Sequence, residues 1–357
     1  MEKIYYTYLK KFSLIFFTLL AFILIVNYTK DPLDKFNKSS SRQLLKNFYE
    51  KVNSSNNGVY FDEKNLSLRE IKKYFANYSR GECAIIGTSS SQSISSSAKI
   101  KSFKSNCNSI INLSIPMATY EDFFAFSYFL KNRDDHKPKK IIFNISPWSF
   151  SPYSYDWNYF EKEVKEMQKI INKKNDSNKI EREIKKYNIF IDNILNLNYF
   201  ILSIKSFFKI EEIKFQEVPN FNQLKGLEKV VILNDGSLIN SDIEISRNDF
   251  LVYEDSRIKE NKYFNKNAFT QFKDLLKDLK NEFEVQLLLV PFHHNTFKNK
   301  ESLTFKAIRF TENEIRDLSD ELNIKIFGSY NPEDVGCKSF EFIDYIHPNH
   351  LCLSKIN

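Results

Sequence analysis

Residues 81–94 read GECAIIGTSSSQSI. Ala84, Ile85 and Ile86 form a short apolar run that Gly87 ends. Ser89, Ser90 and Ser91 follow, with a polar, helix-compatible segment behind them. The pattern predicts a buried parallel strand that breaks at a glycine and passes into a helix. The turn then lies at the strand's carboxyl end, where open α/β sheets bind ligands. A serine in such a turn presents its hydroxyl beside free backbone N–H groups at the positive end of the helix dipole. Nucleophilic hydrolases use the same strand–turn–helix device. Of the three serines, the turn favours Ser89, two residues past Gly87, as the nucleophile.

A serine nucleophile needs a base to take its proton and a carboxylate to orient that base. Residues 342–350 read FIDYIHPNH and place Asp344 three residues before His347. One short loop can therefore supply both groups.

With these residues assembled, the chain resembles the SGNH/GDSL-type hydrolases. Gly87-Thr88-Ser89-Ser90 looks like their first block, Asn112-Leu113-Ser114-Ile115-Pro116-Met117 falls where their second lies, and Asp344-Tyr345-Ile346-His347 matches their closing Asp-x-x-His. Asn144-Ile145-Ser146-Pro147-Trp148 is closer to a membrane-anchored branch that includes the protein of teichoic-acid D-alanylation and acyl-transfer proteins of surface-polysaccharide clusters. The resemblance covers roughly residues 80–150 and 265–350. It implies a flavodoxin-like, three-layer α/β fold with a Ser89-His347-Asp344 triad and no cofactor. It also implies ester hydrolysis or O-acyl transfer on a cell-surface glycan, with a membrane acyl-donor protein as a partner. The chain departs from the family at two places. Met117 stands where the second block carries a glycine, and Ser146-Pro147-Trp148 replaces the asparagine of the third. The oxyanion hole then rests on the backbone N–H of Ser89, joined by that of Met117. A different class of reading, a non-catalytic glycan-binding or assembly protein on the same fold, rests on those departures.

The chain has 357 residues with 42% hydrophobic content, enough to bury a full core. It holds only 7 glycines, far below the usual share of about 7%, so each one carries information. The net charge of +7 comes from lysines spread along the whole length. No basic stripe with interleaved aromatics stands out, which argues against nucleic acid as a partner.

Residues 12–28, FSLIFFTLLAFILIVNY, carry no charge and read as an uncleaved transmembrane signal anchor behind a cytoplasmic tail of residues 1–11. Lysines flank the span on both sides, so charge alone does not orient it. The 4 cysteines bear on the side. Cys83 and Cys107 each lie just upstream of one of two expected neighbouring strands, and Cys337 and Cys352 flank the Asp-x-x-His turn. Two local pairs favour disulfides and an extracytoplasmic domain; four unrelated buried thiols are the alternative.

Residues 29–79 read as a stalk and lead-in helix, and residues 80–357 as the α/β domain. Within it, strands AIIGT and IINLS, a helix over residues 120–131 and the strand KKIIFNISPW suggest a parallel sheet. The helical, charged segment 153–262 reads as an insertion or lid with a hairpin at Asp235-Gly236. Helices over 264–283 and 304–322, with strands EVQLLLVPF and IKIFGSY, complete the domain.

His293 and His294 follow the strand LLLVPF at the expected carboxyl edge. Their spacing with His347 and His350 fits no metal-site pattern, so no metal is expected and His293 is assigned to the pocket lining. Trp148 is either a sugar-stacking surface or core.

Overall fold

The computed structural model describes residues 2–30, 39–61, 66–96, 107–151, 160–172, 200–201, 203–204, 215–219, 230–240 and 263–356. The chain divides into two compact units, residues 1–48 with 175–214, and residues 49–174 with 215–357. In the first, helix α1 spans Glu2–Lys30, longer at both ends than the apolar run in the sequence. Its window Tyr8–Thr29, 22 residues, is long and apolar enough to cross a membrane. At 1.5 Å per residue it rises about 33 Å, against a hydrocarbon core of about 30 Å. Helix α2 follows at Ser39–Ser54.

The second unit is an α/β structure built on a parallel five-stranded sheet. Its strands are β2 (Cys83–Ile86), β3 (Ile110–Asn112), β4 (Lys140–Ile145), β7 (Glu284–Leu289) and β8 (Lys325–Gly328), in the order β3-β2-β4-β7-β8. Every adjacent pair is parallel. All four residues of β2 are buried, as are the last five of β4 and of β7. Consecutive strand residues point to opposite faces, so both faces of the sheet are covered. This is why the strands read as continuous apolar runs rather than as alternation.

The covering helices are α3 (Leu68–Tyr78), α4 (Tyr120–Lys131), α5 (Glu161–Asn172), α6 (Lys266–Leu279) and α7 (Leu303–Leu322). Helix α4 starts where the sequence places it because Thr119 and Asp122 form a capping box. Asp122 also receives two hydrogen bonds from Arg69 of α3, both 3.1 Å, in a half-dry setting that joins the two helices.

Helices α2 and α3 form within the segment expected as a stalk and lead-in helix; Val59–Phe61 between them forms strand β1, and Ile71, Lys72 and Phe75 of α3 are fully buried. Residues 31–38 lie outside the described residues. Within the segment expected as an insertion or lid, residues 160–172 and 230–240 belong to the second unit. Phe160, at the start of α5, packs its ring against Phe126 and Phe129 of α4 at 5.6 and 5.4 Å. The hairpin forms at Asp235-Gly236, between β5 (Val230–Ile232) and β6 (Leu238–Asn240), and β5 pairs with β1 to make a second, antiparallel sheet. Most of the helical stretch expected over 179–208 lies outside the described residues.

The hairpin tip is keyed into the main sheet. Gly236 has φ +84°, and its Cα faces the carbonyl of Asn112 so closely that an added Cβ would lie 2.6 Å from that oxygen. Asn112 N–H donates to the Asp235 carbonyl at 2.7 Å. Lys72, entirely buried, donates from Nζ to the carbonyls of Asn112 at 2.8 Å and Gly236 at 2.5 Å. The Asp235 carboxylate takes hydrogen bonds from Ser95 Oγ, Ser96 N–H, Ser237 N–H and Ser237 Oγ.

Burial lowers the Lys72 amine to about 7, against a smaller opposing pull from Asp235. The folded value lies below the unfolded one of 10.5, so the unfolded chain holds more protons between pH 7 and 10.5. This contribution to stability is therefore present in full above 10.5 and falls away as pH drops through 7. Thermal unfolding of the full chain in detergent should show a midpoint that rises from pH 7 to 9. In Lys72→Met the rise should be markedly smaller.

Candidate functional site

Strand β2 ends at Ile86, and Gly87 follows because the site has no room for a side chain. A Cβ there would lie 2.5 Å from Asn144 Cβ and 2.7 Å from Ser91 Oγ. The chain then makes a single 3-10 turn over Ser89–Ser91. The α-helix expected behind the serines does not form at this point. Ser91 Oγ instead lies 3.1 Å from the Thr88 carbonyl, a local side-chain bond of the kind that competes with helix in serine-rich segments.

The three serines are sorted by their surroundings. Ser90 and Ser91 are buried and Ser89 is partly exposed. Asn144, on the central strand β4, holds the turn. Its Oδ1 receives Thr88 N–H at 3.1 Å, and the hydroxyls of Thr88, Ser90 and Ser91 lie 3.2, 3.2 and 2.9 Å from the same oxygen. Ser91 Oγ also meets Ser114 Oγ at 2.8 Å, and Thr88 Oγ1 meets Ser146 Oγ at 2.7 Å. Ser90 and Ser91 thus serve in a buried hydroxyl network around Asn144. Asn112 closes the far side of the turn, donating from Nδ2 to the carbonyls of Ser91 and Ile94, both at 2.8 Å. The hub role of Asn144 was not drawn from the sequence. Its signal was a lone polar residue inside the apolar run IIFNI.

Asp344 and His347 sit on a small turn that follows β8 and the short helix α8 (Pro332–Val335). The turn is closed by Ile343 N–H donating to the His347 carbonyl at 2.8 Å, beside a bridge between Phe342 and Pro348. Asp344 Oδ1 accepts from the N–H groups of Ile346 and His347 at 2.8 and 2.9 Å. Its Oδ2 lies 2.7 Å from His347 Nδ1. Burial pushes the Asp344 carboxyl up, but the His347 contact and the two backbone N–H groups outweigh it and hold it below the usual value. The carboxylate is therefore ionised at neutral pH, which places the imidazole proton on Nδ1 and leaves Nε2 as the acceptor.

Both turns belong to loops that leave the carboxyl edge of the same parallel sheet, and a chain of contacts joins them. Tyr330 OH donates to the carbonyl of Ile145, the residue after Asn144, at 2.8 Å. Phe292 N–H donates to the Tyr330 carbonyl, and His293 N–H to the Tyr345 carbonyl, each at 2.9 Å. Met117, in the loop after β3, is partly exposed and has φ +54°, a left-handed conformation rare for a bulky side chain.

Trp148 is 7% exposed, with its ring 5.8 Å from that of Phe292, so it presents little surface for stacking on a sugar. His293 is buried rather than lining an open pocket. The cysteines form two disulfides, Cys83–Cys107 and Cys337–Cys352, with Cα separations of 5.9 and 5.0 Å. The second encloses the Asp344–His347 turn. Cys337, Glu341 and Cys352 bring three potential metal ligands together, but both sulfurs are committed to the bridge and Lys355 Nζ lies 2.7 Å from each Glu341 oxygen. Scanning the chain against models of known protein families gives no match, and none of the curated proteins matches it.

Replacing Asn144 by Leu should leave the Thr88 N–H buried without its acceptor, a loss of about 1–3 kcal/mol in unfolding free energy. Gly87→Ala should cost a similar amount through overpacking. Denaturant titration of each variant against wild type reads both, and wild-type midpoints would show that the serine turn is held by something else.

Proposed function

We propose that the chain is a serine-dependent O-acyltransferase or esterase, anchored by its amino-terminal helix and acting on a cell-surface glycan outside the membrane. The observation that carries the catalytic part is the Asp344–His347 pair. An ionised carboxylate at 2.7 Å fixes the imidazole tautomer, and two backbone N–H groups fix the carboxylate. The strand order β3-β2-β4-β7-β8 is that of flavodoxin-like sheets, which supports the SGNH-type reading of the blocks at Ser89 and His347.

In this mechanism His347 Nε2 takes the proton of Ser89 Oγ as that oxygen attacks an ester carbonyl. The developing imidazolium is stabilised by Asp344. The leaving alcohol departs with the proton from His347, and the acyl group remains as an ester on Ser89. Water or a glycan hydroxyl then attacks the acyl-enzyme, with His347 again acting as base, and Ser89 is restored. The backbone N–H groups of Ser89 and Met117 face the developing oxyanion in this scheme. The two disulfides favour an oxidising compartment. Transfer rather than hydrolysis, and a glycan rather than another alcohol, rest on the resemblance to the membrane-anchored branch.

A fluorophosphonate probe applied to the full chain in detergent should label the protein once, and Ser89→Ala should abolish the label. A folded wild-type sample that takes up no probe would overturn the catalytic reading. Asp344→Asn should fold normally and lose activity by roughly 10⁴-fold, because the amide favours the wrong imidazole tautomer. The Ser89→Ala/His347→Ala double variant should be little worse than either single one. Losses that multiply would separate the two residues into independent roles.

A further inference from the structure

His293 ends the segment that leaves β7, and it meets the catalytic loop through both its backbone and its ring. Its N–H donates to the Tyr345 carbonyl, inside the Asp344–His347 turn, at 2.9 Å. Its ring Nδ1 accepts from Asn295 N–H at 3.2 Å, which fixes the ring to the 3-10 turn that begins at His294. The ring stands edge-on to Phe342 and to Tyr345, with centroids 5.4 and 6.4 Å apart. Its neighbour His294 adds contacts to the same loop, with Nδ1 3.4 Å from Ser339 Oγ and its ring 6.2 Å from that of Phe342. The loop is thus gripped at residues 339, 342 and 345 from one side.

We propose that His293 is a positioning residue for the Asp344–His347 turn: it clamps the loop at Phe342 and Tyr345 and makes no contact with substrate. This inference rests on the catalytic reading of Ser89, Asp344 and His347. The physical need is plain. The turn is short, half-exposed and carried by a loop, whereas Ser89 is fixed to the middle of the sheet through Asn144. A displacement of about 1 Å between base and nucleophile can cost on the order of 10²-fold in rate, so the loop needs a strut from the sheet. A neutral imidazole suits the task because Nδ1 can accept from Asn295 N–H while the uncharged ring packs against aromatic neighbours. Burial holds His293 in that form, lowering it to about 4, with His294 and Lys298 adding to the effect and Ser339 and Asp344 opposing it.

The test compares His293→Ala and His293→Phe in the full chain in detergent, using fluorophosphonate labelling, p-nitrophenyl acetate turnover and backbone amide exchange. In His293→Ala the labelling rate and kcat should fall at least tenfold with KM within about twofold of wild type. The amides of Ile343, Ile346 and His347 should exchange faster while those of β4 are unchanged. His293→Phe, which keeps a ring against Phe342 and Tyr345, should recover most of both. Should His293→Ala fail to fold, His293→Asn keeps an acceptor for Asn295 N–H without a ring to pack on Phe342 and carries the same comparison.

A raised KM with unchanged labelling would show a substrate contact and overturn the proposal. Unchanged amide exchange in the loop would overturn it whatever the activity does. If wild type takes no label, the catalytic reading fails, and the exchange data alone then decide whether the clamp exists.

Discussion

The carboxamide of Asn144 is the joint on which the rest of the candidate site depends. A turn after a parallel strand is usually fixed by the helix that follows it, and here that helix is replaced by one 3-10 turn at Ser89–Ser91. Side chains therefore do the fixing. Asn144 lies on the middle strand of five, paired with β2 on one side and with Leu288 of β7 on the other. From there its Oδ1 gathers Thr88 N–H and three hydroxyls. The opposite half of the site is referenced to the next residue, since the Ile145 carbonyl receives Tyr330 OH and Tyr330 in turn receives Phe292 N–H. Two consecutive residues of one strand thus set the positions of both the serine turn and the histidine loop.

The network that holds the serine turn is uncharged, built from hydroxyls, an amide and backbone groups. The buried ionisable groups are kept one step away, at Lys72 and Asp235. There Lys72 ties the hairpin tip to β3 through the two carbonyls of Asn112 and Gly236. Buried groups of this kind are weak sources of net stability, since desolvation offsets most of what their hydrogen bonds return. Their use lies in specificity, because only one placement of the hairpin satisfies Lys72 Nζ, the Asp235 carboxylate and Asn112 N–H together. The hairpin braces the serine turn as well, with Leu238 N–H donating to the Gln92 carbonyl at 2.8 Å. A segment more than 140 residues downstream is in this way part of the frame around Ser89.

The parts of the chain that were legible in the sequence share a local cause. The strands of the main sheet, the hairpin at Asp235-Gly236 and the helix from Tyr120 to Lys131 are set by apolar runs, turn chemistry and a capping box over a few residues. The Asp344–His347 pairing was legible because both groups lie within one turn. What escaped the sequence depends on distant partners. Lys72 reads as one more lysine on a charged amphipathic helix, and only the arrival of Gly236 turns it into a buried donor. Residues 49–79 look polar enough for a stalk, yet β1 is claimed by β5, whose pairing runs across some 170 residues. His293 reads as pocket lining from its place at the sheet edge, and its contacts with the histidine loop are visible only once Phe342 and Tyr345 are folded over it. The missing helix after Ser89 has a local cause that was misjudged: helix compatibility in a serine run is weakened by the serines' own backbone bonds.

Met117 shows how a bulky side chain can stand where the backbone path would suit glycine. A glycine in a site loop is a statement about φ, since glycine alone visits the left-handed region without cost. At +54° Met117 occupies that region with a full side chain. A non-glycine residue held there costs about 1–3 kcal/mol, and it persists only where the surroundings over-determine the backbone. The constraint is visible on both sides of it. Ser114 N–H is tied to Asn112 Oδ1 at 2.9 Å and Ile115 N–H to the Gly87 carbonyl at 3.0 Å, while Thr119 caps the helix that follows. The loop thus leaves the serine turn and enters α4 with its two ends fixed, and position 117 must absorb the change of direction whichever residue stands there. Its thioether is 38% exposed, so the loop's path past Ser89 is set by these flanking bonds and not by burial of the Met117 side chain.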